Sequence, residues 1–244
     1  HRAHASTVGI SRFISQSAMG FLLEKEVKYL DRVVHGADHP FVAIIGGAKV
    51  SDKIGVIESL LPKVDRLLIG GAMSYTFLKA QGFGIGTSLV EEDKLDEARD
   101  LLSRSHNKIV LPTDHVAASA FDNDAEQRVV SGSIPEEMMG LDIGPKSIET
   151  YREIILAART VVWNGPMGVF EMSNFAKGTL SVAQSLADAT ANGALTVVGG
   201  GDSVAAITHA ELDDDVSHVS TGGGAMLEFL EGNELPGVAA LSDN

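Results

Sequence analysis

Apolar residues in this chain come in short unbroken runs, and most runs end in glycine. Phe41-Val-Ala-Ile-Ile45 leads into Gly46-Gly47, Arg66-Leu-Leu-Ile69 into Gly70-Gly71, and Ala194-Leu-Thr-Val-Val198 into Gly199-Gly-Gly201. Thr160-Val-Val-Trp163 ends at Asn164-Gly-Pro166, Ile109-Val-Leu111 is a further run, and residues 216–220 lead into Thr221-Gly-Gly-Gly224. Runs of this length bounded by turn residues read as strands buried on both faces, as in a parallel sheet. Between them the apolar spacing is helical. One long amphipathic helix is predicted over 15–36, with Met19, Leu22, Leu23, Leu30, Val33 and Val34 on one face. Others are predicted from 53 through Ile54, Ile57, Leu60 and Leu61, through Met73, Phe77 and Leu78, and over 91–105, 146–158, 174–189, 202–209 and 221–230. Alternation of this kind predicts an α/β fold with a doubly wound, six-stranded parallel Rossmann-like sheet and right-handed crossovers. The rhythm breaks between 112 and 145. Val116-Ala-Ala and Arg128-Val-Val read there as short antiparallel strands of a small insertion, and Met139-Gly-Leu-Asp-Ile-Gly-Pro145 as a turn-rich segment.

With 244 residues, of which 44% are hydrophobic, the chain can bury a core of one α/β domain or two small ones. It has no cysteine, which excludes disulfides and thiolate metal sites and suits a reducing, cytoplasmic setting. A net charge of −14 argues against nucleic-acid and anionic-membrane partners. No apolar run approaches the ~20 residues of a membrane span. Any phosphate site must therefore draw on local lysines, glycine loops or a metal.

The chemistry is concentrated where the strands end. Strand, glycine loop and helix N-terminus follow one another at 194–207, which brings unobstructed N–H groups and the positive end of a helix dipole to one point. Asp202 in that loop reads either as a helix N-cap or as a ligand for Mg²⁺ bridging to phosphates, and the two roles can coexist. Lys49 and Lys53, four apart, would share a helical face if both are helical, and read as an anion site or as two solvated lysines. Glu171 is an exposed loop carboxylate or a ribose hydroxyl acceptor, Trp163 a core residue, and His218 a satisfied core histidine. Gly82-Phe-Gly-Ile-Gly86 reads as a loop, because it does not directly follow a strand, and Asp122-Asn-Asp124 as an Asx turn without the closing residues of a calcium loop. No Walker A pattern occurs.

Taken together, Ile45-Gly-Gly-Ala-Lys-Val-Ser-Asp-Lys53, Ile69-Gly-Gly-Ala-Met73, Trp163-Asn-Gly-Pro-Met-Gly-Val-Phe-Glu171, Gly199-Gly-Gly-Asp-Ser203 and Ser217-His-Val-Ser-Thr-Gly-Gly-Gly-Ala225 closely resemble the phosphoglycerate kinase family. Leu235-Pro-Gly-Val-Ala-Ala-Leu241 resembles the tail of that family. The resemblance implies reversible phosphoryl transfer between 1,3-bisphosphoglycerate and Mg-ADP, giving 3-phosphoglycerate and ATP in glycolysis, by a protein that is a monomer when complete. It further implies that residues 1–14 end a substrate domain, 15–36 form the interdomain helix, 37–231 the nucleotide-binding domain and 232–244 the tail.

Carried over residue by residue, the family's pattern places Lys53, Gly200, Gly201 and Ser203 around the nucleotide phosphates, Asp202 on Mg²⁺ and Glu171 on the ribose, with Asn164 and Pro166 also binding the nucleotide. Gly46, Gly47, Gly70, Gly71, Gly140 and Leu141 would border the adenine. Lys49 with Gly222, Gly223 and Gly224 would serve the transferring phosphoryl group, and Arg2 and His4 would belong to the substrate patch. Two other functions compete: a free-standing nucleotide-binding module without chemistry, and a dinucleotide oxidoreductase. Against the latter stand the Lys49/Lys53 pair and the lack of a dinucleotide glycine fingerprint after the first strand.

Overall fold

The computed structural model describes residues 1–14 and 16–241. Nine strands are assigned among them: β1 (Phe41–Ile45), β2 (Arg66–Ile69), β3 (Ile109–Val110), β4 (Asp114–Ala118), β5 (Gln127–Ser131), β6 (Met139–Ile143), β7 (Thr160–Asn164), β8 (Leu195–Gly199) and β9 (His218–Val219). The helices are α1 (Phe21–His35), α2 (Ile54–Leu60), α3 (Met73–Ala80), α4 (Leu95–Arg104), α5 (Pro145–Leu156), α6 (Lys177–Ala191), α7 (Gly201–His209), α8 (Gly224–Leu230) and the short α9 (Pro236–Ala239). Six strands form one all-parallel sheet in the order β3-β2-β1-β7-β8-β9. The order reverses between β1 and β7, which makes that pair the topological switch point.

Strand pleating sends alternate residues to opposite faces, and each face has its own core. Phe41, Ala43, Ile45, Leu67, Ile69, Val162 and Val197 pack beneath α1, α2, α4 and α8. Val42, Ile44, Leu68, Val161, Trp163 and Val198 pack under α5, α6 and α7. Trp163 is fully buried and its indole N–H donates to the Gly165 carbonyl at 2.7 Å, which ties the core to the loop after β7. Register does the rest. Ile45 pairs with Ile69 and with Asn164, and Asn164 with Gly199, so four strands end in one row and their glycine loops leave from a common edge.

Three expectations need correction. Helix α1 begins at Phe21 behind a Gly20 N-cap, so Met19 precedes it; Ser15 lies outside the described residues. Its buried residues are Glu26, Leu30, Val33 and Val34, whereas Leu22 is exposed and Leu23 only partly covered. The segment 139–143 is a strand, β6, and with β4 and β5 makes a three-stranded antiparallel sheet of order β5-β4-β6. Lys49 and Lys53 share no helical face, because α2 starts at Ile54 with Lys53 as its cap residue. The Asx turn holds: Asp124 N–H donates to Asp122 Oδ1 at 2.8 Å.

His115 on β4 is buried edge-on against Tyr75, with ring centroids 5.5 Å apart, and neither ring nitrogen finds a hydrogen bond among the described residues. Burial pushes its pKa from 6.5 down to about 4, against the pull of the Asp114 charge. The native ring is therefore neutral. Its contribution to stability is complete above ~6.5, where the unfolded histidine is also neutral, and is lost as pH falls towards 4. The loss is expected to reach about 3 kcal/mol. Denaturant titrations between pH 7 and 4 should show a shallower decline in His115→Leu; an identical decline would remove His115 as its source.

Candidate active site

The loops that leave the common edge lock into one another. Gly46 N–H donates to the Asn164 carbonyl at 2.9 Å, Gly47 N–H to Pro166 at 3.1 Å, and Gly71 N–H to Met167 at 2.9 Å, while Gly47 C=O accepts from Met73 N–H at 3.0 Å. This close approach requires glycine. A methyl on Gly46 would lie 2.1 Å from the Pro166 carbonyl oxygen, and Gly71, at φ +68°, would place one 2.5 Å from the Gly47 oxygen. The N–H groups of these glycines are thus engaged in building a floor and do not face a ligand.

Above that floor lies a cleft in two parts. The first, about 540 Å³, is mostly apolar and is lined by Gly71, Tyr75, Leu89, Phe121, Gly140, Leu141 and Val169, with Glu171 on its rim. The second, about 410 Å³, is polar and is lined by Lys49, Asp52, Lys53, Asn164, Gly200, Gly201, Gly223 and Gly224. Gly47, Ala48, Pro166 and Asp202 border both parts, so the two are contiguous.

Lys53 is the most constrained group in the polar part. Its ammonium donates to Asn164 Oδ1, and the Asn164 amide nitrogen is buried without a partner among the described residues. Burial lowers the Lys53 pKa, while Asp52 and Asp202 oppose that shift. An anion in the cleft would relieve the desolvated cation. Lys49 is exposed on the same wall. Asp202 is the second residue of α7, whose N-cap is Gly200, and no side-chain cap bond forms there; the capping reading is therefore corrected. The first-turn N–H groups of α7 have no acceptor within the helix, and Gly200, Gly201 and Asp202 border the cleft. Three or more acidic or histidine side chains grouped to hold a metal do not occur among the described residues. A single exposed carboxylate at a helix N-terminus fits a Mg²⁺ held jointly with phosphate oxygens, and does not form a protein cage.

Several predicted site residues stand elsewhere. Ser203 is buried, and its hydroxyl accepts from Gly165 N–H at 2.5 Å, so it supports the β7 loop from behind. Gly70 is buried against Met167. Gly222 N–H donates to Ser220 Oγ at 3.2 Å, which leaves Gly223 and Gly224 at the cleft. Arg2 and His4 are exposed at a π-helical turn, Ala5–Gly9, which His4 caps; neither borders the cleft.

Other residues were not foreseen. Tyr75 follows the second glycine loop by one helical turn, the one available signal. Leu89 and Phe121 are exposed apolar loop residues with no periodicity to mark them. His218, by contrast, is buried as its core reading expects, stacked on Tyr29 with centroids 4.6 Å apart, and its Nε2 lies 3.2 Å from Glu26 Oε2. Glu26 also accepts from Ser220 Oγ at 2.8 Å and from Thr221 N–H at 2.6 Å, which fastens α1 to the loop before α8.

Fold and cleft define a doubly wound α/β protein with a two-part ligand site across its topological switch point. A family model described as phosphoglycerate kinase matches residues 1–233. Curated relatives named phosphoglycerate kinase include that of Chlorobium phaeobacteroides (strain BS1), 59% identical over 247 residues, covering 100% of this chain and 62% of the relative. Another, from Lactiplantibacillus plantarum, is 57% identical over 243 residues and is covered to 60% of its length. The solved structure of phosphoglycerate kinase from Coxiella burnetii superposes with a TM-score of 0.94 at 43% identity, over 99% of this chain and 63% of that one. The chain belongs to the phosphoglycerate kinase family. It spans about three fifths of the length of the relatives it matches. None of its helices is long and apolar enough to cross a membrane among the described residues.

Proposed function

We propose that this chain is the nucleotide-binding half of a phosphoglycerate kinase. In the complete protein it would take part in reversible phosphoryl transfer between 1,3-bisphosphoglycerate and Mg-ADP, giving 3-phosphoglycerate and ATP. The observation that carries this reading is the contiguity of an apolar cavity with a polar one that holds a desolvated lysine. A purine and ribose suit the first, with Glu171 near the sugar hydroxyls; a triphosphate suits the second, against Lys53, the amide of Asn164 and the first turn of α7. Asp202, at the junction, would hold Mg²⁺, which when bound neutralises phosphate charge.

Phosphoryl transfer depends on alignment and on charge stabilisation around the moving group far more than on a general base. Lys49, with the N–H groups of Gly223 and Gly224, borders the polar end where that group would emerge. The acyl-phosphate substrate would be held by the part of the relatives that this chain does not span. Proximity contributes roughly 7–11 kcal/mol to a reaction of two bound substrates, so the 244-residue chain should bind nucleotide without turning it over.

Calorimetry is expected to give Mg-ATP binding in the ~1 μM–1 mM range common for enzyme substrates. Asp202→Ala should lose the part of that affinity that depends on Mg²⁺ and keep the metal-free part. Equal losses with and without Mg²⁺ would rule out Asp202 as a ligand. A coupled assay for 1,3-bisphosphoglycerate should stay at background, and turnover by the chain alone would overturn the half-site reading. Complementation by the remaining part of a relative, if it restores turnover, also separates this reading from a binding module without chemistry.

A further inference from the structure

The loop that carries Lys49 and Lys53 has no regular structure of its own, yet one carboxylate from far along the chain holds its centre. Glu91 Oε2 accepts from Val50 N–H at 2.5 Å and from Ser51 N–H at 3.1 Å, and its Oε1 accepts from Ser51 Oγ at 2.6 Å. Glu91 is itself fixed from behind. Its N–H donates to Oγ1 of the buried Thr76 on α3 at 3.2 Å, and the adjacent Glu92 pairs with Lys79 at the end of the same helix. Val50 is completely buried, so the loop is pinned between Lys49 and Lys53 by packing and by this carboxylate.

We infer that Glu91 is a positioning residue of the phosphate site: it clamps the Val50–Ser51 backbone so that Lys49 and Lys53 face the polar cavity, and its charge stabilises the Lys49 cation before a ligand arrives. The inference rests on the proposed function for the identity of the ligand, though the clamp stands on geometry alone. Loop N–H groups that lack a carboxylate turn to water, and the two cations then sample positions away from the cleft. Charge-assisted bonds of this kind are the stronger class of hydrogen bond. Hydrogen bonds that loosen Glu91's proton outweigh the opposing effect of burial, and Lys49 adds to them, so the group stays ionised through the neutral range.

The test compares ATP with adenosine on the intact chain. Glu91→Ala is expected to weaken ATP binding by about tenfold and to leave adenosine, which reaches only the apolar cavity, within about twofold. Glu91→Gln keeps one accepting oxygen and no charge, and should fall between wild type and Glu91→Ala. It also serves if the alanine variant does not fold. Equal weakening of both ligands in a folded variant, or unchanged ATP binding, overturns the proposal. Hydrogen exchange without ligand reads the clamp directly: the amides of Val50 and Ser51 should exchange faster in both variants than in wild type. Unchanged exchange overturns the clamp even if nucleotide binds. Failure of wild type to bind ATP would overturn the proposed function, and the exchange measurement would still decide the clamp.

Discussion

Lys53→Ala is expected to lower the affinity for Mg-ATP by roughly 10- to 100-fold, the span for losing a hydrogen bond to a charged group in a partly desolvated site. The ammonium is held at the wall by Asn164 Oδ1, with Asp52 and Asp202 close enough to bias it, so it would enter a bound state without a search. Alanine removes the cation and leaves the Asn164 oxygen without its donor, so the empty site also loses its pre-set geometry. Lys53→Arg keeps the charge but replaces a point donor with a planar fork that does not match the single Asn164 oxygen; partial recovery is expected. Adenosine affinity should not move. Calorimetry with ATP and adenosine checks both expectations, and an ATP affinity within twofold of wild type would rule out Lys53 as a phosphate contact.

Gly46→Ala is expected to act on the whole domain. Its methyl would press on the carbonyl oxygens of Pro166 and Gly165, 2.1 and 2.6 Å away, both of them backbone atoms in a loop that cannot rotate aside. Overpacking of this kind costs about 1–3 kcal/mol and occasionally more, and here the upper end applies because the clash falls at the centre of the sheet. Both parts of the cleft border that loop through Pro166, so nucleotide binding should be lost with the stability. Gly201→Ala is the control. A methyl there meets nothing within 4 Å, and the residue opens α7 at an ordinary helical position. Its denaturant midpoint should stay near wild type. Equal destabilisation by the two substitutions would refute the interlocked floor.

Much of this was legible in the sequence because parallel strands buried on both faces leave an unbroken apolar signal, and because four of the six end in paired or tripled glycines. β6 was hidden for the opposite reason. Met139-Gly-Leu-Asp-Ile143 carries a glycine that the Tyr75 hydroxyl packs against and an aspartate that is buried, its pKa raised to about 7 by that burial despite N–H donors from Gly178 and Ile143. Neither residue type belongs to a strand pattern, and both are there for tertiary reasons. The glycine loops marked the site, but not which of their atoms face it. Ser203 turns its hydroxyl to Gly165, and Gly222 gives its N–H to Ser220, as only the folded loops decide. Glu91 lies 41 positions from Val50, a contact no local spacing announces.

The interlocked floor also limits what the apolar cavity can distinguish. The N–H groups of Gly47, Gly71 and Gly140 are already committed to Pro166, Met167 and Ser88, and the Leu141 carbonyl to Val169 N–H. A flat ring lying there meets contour and carbon, with few free edges to read its exocyclic groups. Under the proposed function, discrimination between one purine and another would be shallow at this site, and the tight choice would fall to the phosphate end, where the two lysines stand with the Asn164 amide, unpartnered among the described residues.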